Sequence, residues 1–89
     1  MTIRKLQIIN KLGLHARAAA KVVHIANEFE SEVFLGVDGE EVNAKSILGL
    51  LTLAATQGTP LTLRVEGPDE AEATAAIEAL FRNRFGEGE

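Results

Sequence analysis

The chain of 89 residues contains no cysteine, tryptophan or tyrosine. Without cysteine, disulfides, thiolate chemistry and cysteine-based zinc sites are excluded. The two histidines show neither HxxxH nor HExxH spacing, so no metal site is expected, and no other cofactor. Four phenylalanines are the only aromatic residues, a poor supply for base-stacking platforms. Positive charge is in the minority: the formal net charge is −4, which argues against a nucleic-acid partner. No apolar run approaches the roughly 20 residues of a membrane span. The first residues also lack the basic-then-apolar layout of a signal peptide. Membrane insertion is therefore not expected, and a cytoplasmic protein is. Eighty-nine residues make one domain, 1–89, near the lower end of what folds alone. Such a domain has no room for a large internal cavity, so whatever it does, it does on its surface.

Periodicity supplies the elements. Thr2 to Ile9 alternates as a strand, with Leu6 and Ile8 on one face and Lys5 and Gln7 on the other. A helix is expected from about Ala16 to Asn27, with Ala19, Val22, Val23, Ala26 and Phe29 as its buried stripe. Ser31 to Val37 reads as a second strand, with Val33, Leu35 and Val37 on a common face and Phe34 opposed. Asp38-Gly39 is a two-residue hairpin turn that leads into a third strand, Glu40 to Asn43. A short helix opens at Ile47, and a fourth strand follows at Leu61 to Glu66. Asp69 with Glu72 fits a capping-box-like start to a last helix that runs to about Arg84. Its stripe is Ala73, Ala76, Ile77, Leu80 and Phe81. Gly86 to Glu89 reads as a frayed acidic tail. The order βαββαβα, with one apolar face per strand, predicts a two-layer α+β sandwich with the helices on one face.

Asn10 to Lys21, NKLGLHARAAAK, is the stretch richest in chemistry. Asn10 and Gly13 are turn formers, and Ala16 and Ala18 to Ala20 are strong helix formers. His15 is therefore placed at or just before the first helical residue. The opening N–H groups of a helix have no internal partners and carry the positive end of its dipole, so a phosphate there meets ready donors. Arg17 adds a planar cation that can fork onto phosphate oxygens. Taken alone, a histidine at such a point is more often a solvated or capping residue. Ala16 and Ala20 lie on an open face beside His15, either for helix propensity or as flat contact surface. His24, further along, reads as a solvated surface histidine.

The second informative stretch is Val42 to Ala55, VNAKSILGLLTLAA. Ser46 fits an N-cap. Leu50 and Leu53 point one way, and Ile47, Leu48 and Leu51 largely elsewhere. Two helical turns on one side of a sheet cannot bury their whole circumference. Those aliphatics are either a docking surface or covered by a neighbouring loop.

Both stretches resemble the HPr family, the histidine-containing phosphocarriers of the bacterial phosphoenolpyruvate-dependent phosphotransferase system, and the resemblance spans the chain. It implies a four-stranded antiparallel sheet under three helices. It implies that His15 accepts a phosphoryl group on Nδ1 from phosphorylated Enzyme I and passes it to IIA proteins. By the same resemblance, Arg17 and the backbone of Ala16 and Arg17 hold the phosphate. Ser46 matches a serine phosphorylated by a dedicated kinase, HPr kinase/phosphorylase, in many members. Ala16, Ala20, Ile47, Leu48 and Leu51 match the family's docking patch, and a monomer is expected. The chain departs from the pattern at Ala18, where proline is usual, and at His24 and Asn27, where some enteric members carry lysine. The sugar and nitrogen-related branches of the system both stay open. Two other readings compete. One is a regulatory partner that acts by binding alone under control of Ser46; the other is a small ligand-sensing domain.

Overall fold

The computed structural model describes residues 1–53 and 55–87. Four strands, β1 (Thr2–Gln7), β2 (Glu32–Val37), β3 (Glu40–Asn43) and β4 (Pro60–Glu66), alternate with helices α1 (Ala16–Ala26), α2 (Ile47–Thr52) and α3 (Glu70–Arg82) in the order βαββαβα. The strands form one antiparallel sheet with spatial order β1-β4-β2-β3. This is the expected open-faced α+β sandwich. Period-two alternation puts Leu61, Leu63 and Val65 of β4 on the covered face beside Val33 and Leu35 of β2, all essentially inaccessible. The register pairs Leu35 with Leu63 and Val33 with Val65. Each such side chain contributes about 1.5–3 kcal/mol on burial. On the opposite face Phe34 is half-buried under the Arg64 guanidinium, 4.2 Å from the ring centre. Arg64 is also paired with Glu41 at 2.7 Å and Glu66 at 3.1 Å. The hairpin between β2 and β3 turns at Asp38 and Gly39, both with positive φ, as the primed turn demands.

The helices depart from the sequence reading in several places. In α3 the buried residues are Ala73, Thr74, Ile77 and Phe81, while Ala76 and Leu80 are half-buried. In α1 the buried residues are Ala18, Ala19, Val22 and Ala26, while Val23 and Phe29 are half-buried. The helix packs against both α2 and α3, so its covered face is rotated to take in Ala18. The helix ends at Ala26, one residue before the expected Asn27. Asn27 is its C-cap and donates from Nδ2 to the Val23 carbonyl at 2.9 Å.

The capping box expected of Asp69 and Glu72 does not form. Asp69 makes no cap bond to its own helix. Its carboxylate accepts from the Glu30 N–H at 3.0 Å, the Ser31 N–H at 2.9 Å and the Ser31 hydroxyl. Glu70 takes the reaching-back role, accepting from the Gly67 N–H at 3.3 Å. A Cβ on Gly67 would lie 2.5 Å from Ser31, so only glycine permits this approach of the two segments. That approach brings the unpaired amides that open β2 to Asp69. Two N–H groups and a hydroxyl outweigh a single amide at the helix start.

The last helix stops at Arg82, short of the expected Arg84, and the chain then turns sharply. Arg84 and Phe85 both have left-handed φ, 54° and 56°, and Gly86 follows at 77°. Left-handed backbone costs a side-chain-bearing residue about 1–2 kcal/mol. Phe85 is 1% exposed and packs edge-on against Phe81, with ring centres 4.9 Å apart. Burying that ring offsets about 1.5–3 kcal/mol, and the aromatic pair about 0.5–1.5 kcal/mol more. Gly86 and Glu87 are thereby held in place, contrary to the frayed tail expected from composition. The remainder of that tail, residues 88–89, lies outside the described residues.

Candidate functional site

His15 is the N-cap of α1, with extended backbone (φ −81°, ψ 178°) and no side-chain cap bond. The first amide to find a helical partner is that of Ala19, which donates to the His15 carbonyl at 2.8 Å. The N–H groups of Ala16, Arg17 and Ala18 therefore open the helix without intrahelical acceptors. The loop before His15 is fixed from two sides. Leu14 donates its N–H to the Ala55 carbonyl at 2.9 Å. Gly13 (φ 71°) presses so close to the same carbonyl that a Cβ would sit 2.6 Å away. A side chain there would both strain the backbone and push the loop off its support.

The imidazole is half-buried, with 28% of its side-chain surface exposed. Its Nε2 is hydrogen-bonded to the Glu87 carboxylate. Its Nδ1 has no partner among the described residues. Glu87 is held in turn by Asn10, whose Nδ2 donates to Glu87 Oε1 at 2.9 Å and to the Gly13 carbonyl at 2.8 Å. Burial alone would raise the Glu87 carboxyl, but hydrogen bonds from His15 and Asn10, with the charges of His15 and Lys21, bring it below the usual carboxylate range. Lys21 donates from Nζ to the Phe85 carbonyl. Arg17 is exposed and enters no ion pair with the described residues. It lines a cleft of about 290 Å³ together with Leu12, Lys21, Gly86 and Glu87. An imidazole nitrogen and helix-start amides without partners among the described residues, with the Arg17 guanidinium two positions on, make a site able to receive a tetrahedral anion.

The other candidate residues surround this point or lie on the neighbouring helix. Ala16, Ala20 and His24 are exposed on α1. Ala20 and His24 line an apolar groove of about 420 Å³ with Arg17, Lys21, Ile25 and Leu80. Ser46 is the N-cap of α2, and its Oγ accepts from the Gly49 N–H at 3.1 Å. Leu50 and Leu53 are buried, while Ile47 (42%), Leu48 (77%) and Leu51 (38%) are exposed. Of the two readings of α2, the covered one is thus excluded. Sequence reasoning missed Glu87, Phe85 and the bridging role of Asn10. The signal for the first two was the Phe81–Phe85 spacing of four, which carries the helical stripe past the expected end.

Residues 3–83 match the family model described as PTS HPr component phosphorylation site. The chain is 54% identical over 89 residues to phosphocarrier protein HPr of Cupriavidus necator, all of both chains being covered. It is 49% identical over 82 residues, 92% of this chain and 96% of the relative, to the HPr-like protein Crh of Bacillus subtilis. The chain belongs to the HPr family. Its backbone superposes on a crystal structure of HPr from Thermoanaerobacter tengcongensis with a TM-score of 0.96, at 43% identity and full coverage of both chains. It is an HPr phosphocarrier of the phosphotransferase system. Membership of this family implies exchange with the system's own proteins, such as Enzyme I and IIA proteins. Among the described residues, no helix is long and apolar enough to cross a membrane.

Proposed function

We propose that His15 is the residue on which the phosphoryl group travels, accepted at Nδ1 from phosphorylated Enzyme I and handed on to a IIA protein. The carrying observation is the state of the ring at the start of α1: Nε2 engaged, Nδ1 without a partner among the described residues, and the amides of Ala16, Arg17 and Ala18, which have no intrahelical acceptors, beginning beside it. Arg17 and the backbone of Ala16 and Arg17 hold the phosphoryl oxygens. Nδ1 contributes a lone pair, the amides and guanidinium take up negative charge, and no cofactor of the carrier's own is needed. The partners dock on Ala16 and Ala20 of α1 and on Ile47, Leu48 and Leu51 of α2. The whole chain acts as one unit, a monomer in the cytoplasm. Incubation with phosphoenolpyruvate, Mg²⁺ and Enzyme I gives one acid-labile phosphate per chain, and none on His15→Ala. An unchanged yield on that variant rejects the assignment.

A second reading concerns control. Ser46 caps a helix whose exposed face is apolar, so HPr kinase/phosphorylase acting there adds a dianion next to the docking aliphatics while keeping an oxygen at the cap. In its extreme form the chain is a regulatory partner that works by binding alone, with Ser46 as the switch. Labelling by kinase and ATP that disappears in Ser46→Ala supports control at this residue. A regulator bound only by the labelled form, in a chain that accepts no phosphate on His15, supports the extreme form.

A further inference from the structure

Phe85 is buried in the middle of a left-handed turn, Lys21 ties its carbonyl to α1, and two residues later Glu87 meets His15. The C-terminal segment is thus a strap, anchored in the core, that delivers one carboxylate to one ring nitrogen. Asn10, fully buried, fixes the second carboxylate oxygen and the Gly13 carbonyl together, so the carboxylate and the loop that carries His15 are held by one amide. Among the described residues no other carboxylate is hydrogen-bonded to His15.

We propose that Glu87 is a positioning residue for phosphoryl acceptance: its carboxylate holds the proton on Nε2, leaves the lone pair on Nδ1, and offsets the positive charge that the ring gains. The proposal rests on the acceptor role of His15 argued above. An acceptor from Nε2–H selects the tautomer whose basic nitrogen is Nδ1. In the transfer, that lone pair forms the N–P bond. The bond from phosphorus to the donor's leaving atom breaks, and its electron pair departs with the donor. Nε2 keeps its proton throughout, so the phosphorylated ring is a cation, and Glu87 is its counter-charge. The other charged residues on the elements around the ring are Lys11 in the loop, Arg17 and Lys21 on α1 and Arg84 on the strap, all cationic; α2 carries none. Glu87 is thus the one anion on those elements among the described residues.

The test compares wild type, Glu87→Gln and Glu87→Ala as full chains, with His15→Ala as control. Ring-nitrogen NMR of the unphosphorylated protein should show a slowly exchanging proton on Nε2 of wild type. Glu87→Gln, which keeps an acceptor oxygen, should retain it, and Glu87→Ala should lose it. In transfer from phosphorylated Enzyme I, kcat should fall about 10- to 100-fold in both variants, with KM changed less than about twofold. A structural or docking role would instead move KM or the resonances of the sheet. A kcat within about twofold of wild type in Glu87→Ala overturns the proposal, as does an Nε2 proton that exchanges equally fast in wild type and Glu87→Ala. If wild type accepts no phosphate, or His15→Ala still does, the acceptor role itself fails, and the NMR arm still reports whether Glu87 holds the ring.

Discussion

Arg17 stands on the first turn of α1 with no carboxylate among the described residues to neutralise it, which is an unusual condition for a guanidinium beside a glutamate-bearing strap. An exposed arginine with no ion pair among the described residues adds little to folding, so Arg17→Ala should leave stability within about 0.5 kcal/mol of wild type. Transfer from phosphorylated Enzyme I should nevertheless slow about 10- to 100-fold, with Arg17→Lys recovering only part because an ammonium cannot fork onto two oxygens. Equal rates in stopped-flow transfer would remove Arg17 from the site. Ser46 poses the opposite case, one oxygen with two duties. Its Oγ accepts from the Gly49 N–H, so Ser46→Ala should cost about 0.5–2 kcal/mol in denaturant unfolding. Ser46→Asp keeps a capping acceptor and should lose less stability, yet weaken binding to Enzyme I by placing charge beside Leu48 and Leu51. If the two variants weaken binding alike, the charge is not what matters.

At the scale of elements, the strap is where the fold and the site meet. Phe85→Ala removes the anchor that offsets two left-handed residues, and large-to-small changes at a buried phenylalanine cost about 3–5 kcal/mol. Because the anchor holds Glu87, the same variant should also free the Nε2 proton of His15, so stability and ring-proton exchange should change together. A destabilised variant with an unchanged ring proton would uncouple strap from site. This segment was also the least legible part of the sequence. The alternation of Leu61, Leu63 and Val65, and the Ser46 cap with Leu50 and Leu53 inward, were readable because period and propensity are local. The position of His15 at a helix start was readable for the same reason. Asp69 and Glu87 misled because a carboxylate goes to whichever donors the tertiary fold brings near. Glycine and acidic residues at a chain end say nothing about a phenylalanine seated in the core just before them. The choice between a cap and a long-range bond at Asp69 depended on Gly67 touching Ser31, which no local pattern contains.

For the molecule as a whole, the carboxylates that tie distant parts together set how it meets acid. Asp69 is held below its ordinary range by the Ser31 hydroxyl and the Glu30 amide, and so joins the start of α3 to the start of β2. The Thr2 hydroxyl, then the N-terminal ammonium, lower Glu70 and join α3 to β1. Arg64 lowers Glu41 across the open face, and Glu87 is lowered at the site in spite of its burial. Each group binds its proton more readily in the unfolded chain than in the folded one. The stabilisation from all four is therefore fully present above the ordinary carboxylate values near pH 4 and is lost as pH falls through the lower folded values. Melting temperature should be flat from neutral pH down to about pH 5 and then drop steeply. Asp69→Asn should lower the plateau and make the acid drop shallower, since its proton uptake is removed from the balance. A melting temperature that stays level to about pH 3 would mean that these contacts do not form in solution. A drop whose slope is the same in Asp69→Asn would assign the acid sensitivity to the other three carboxylates.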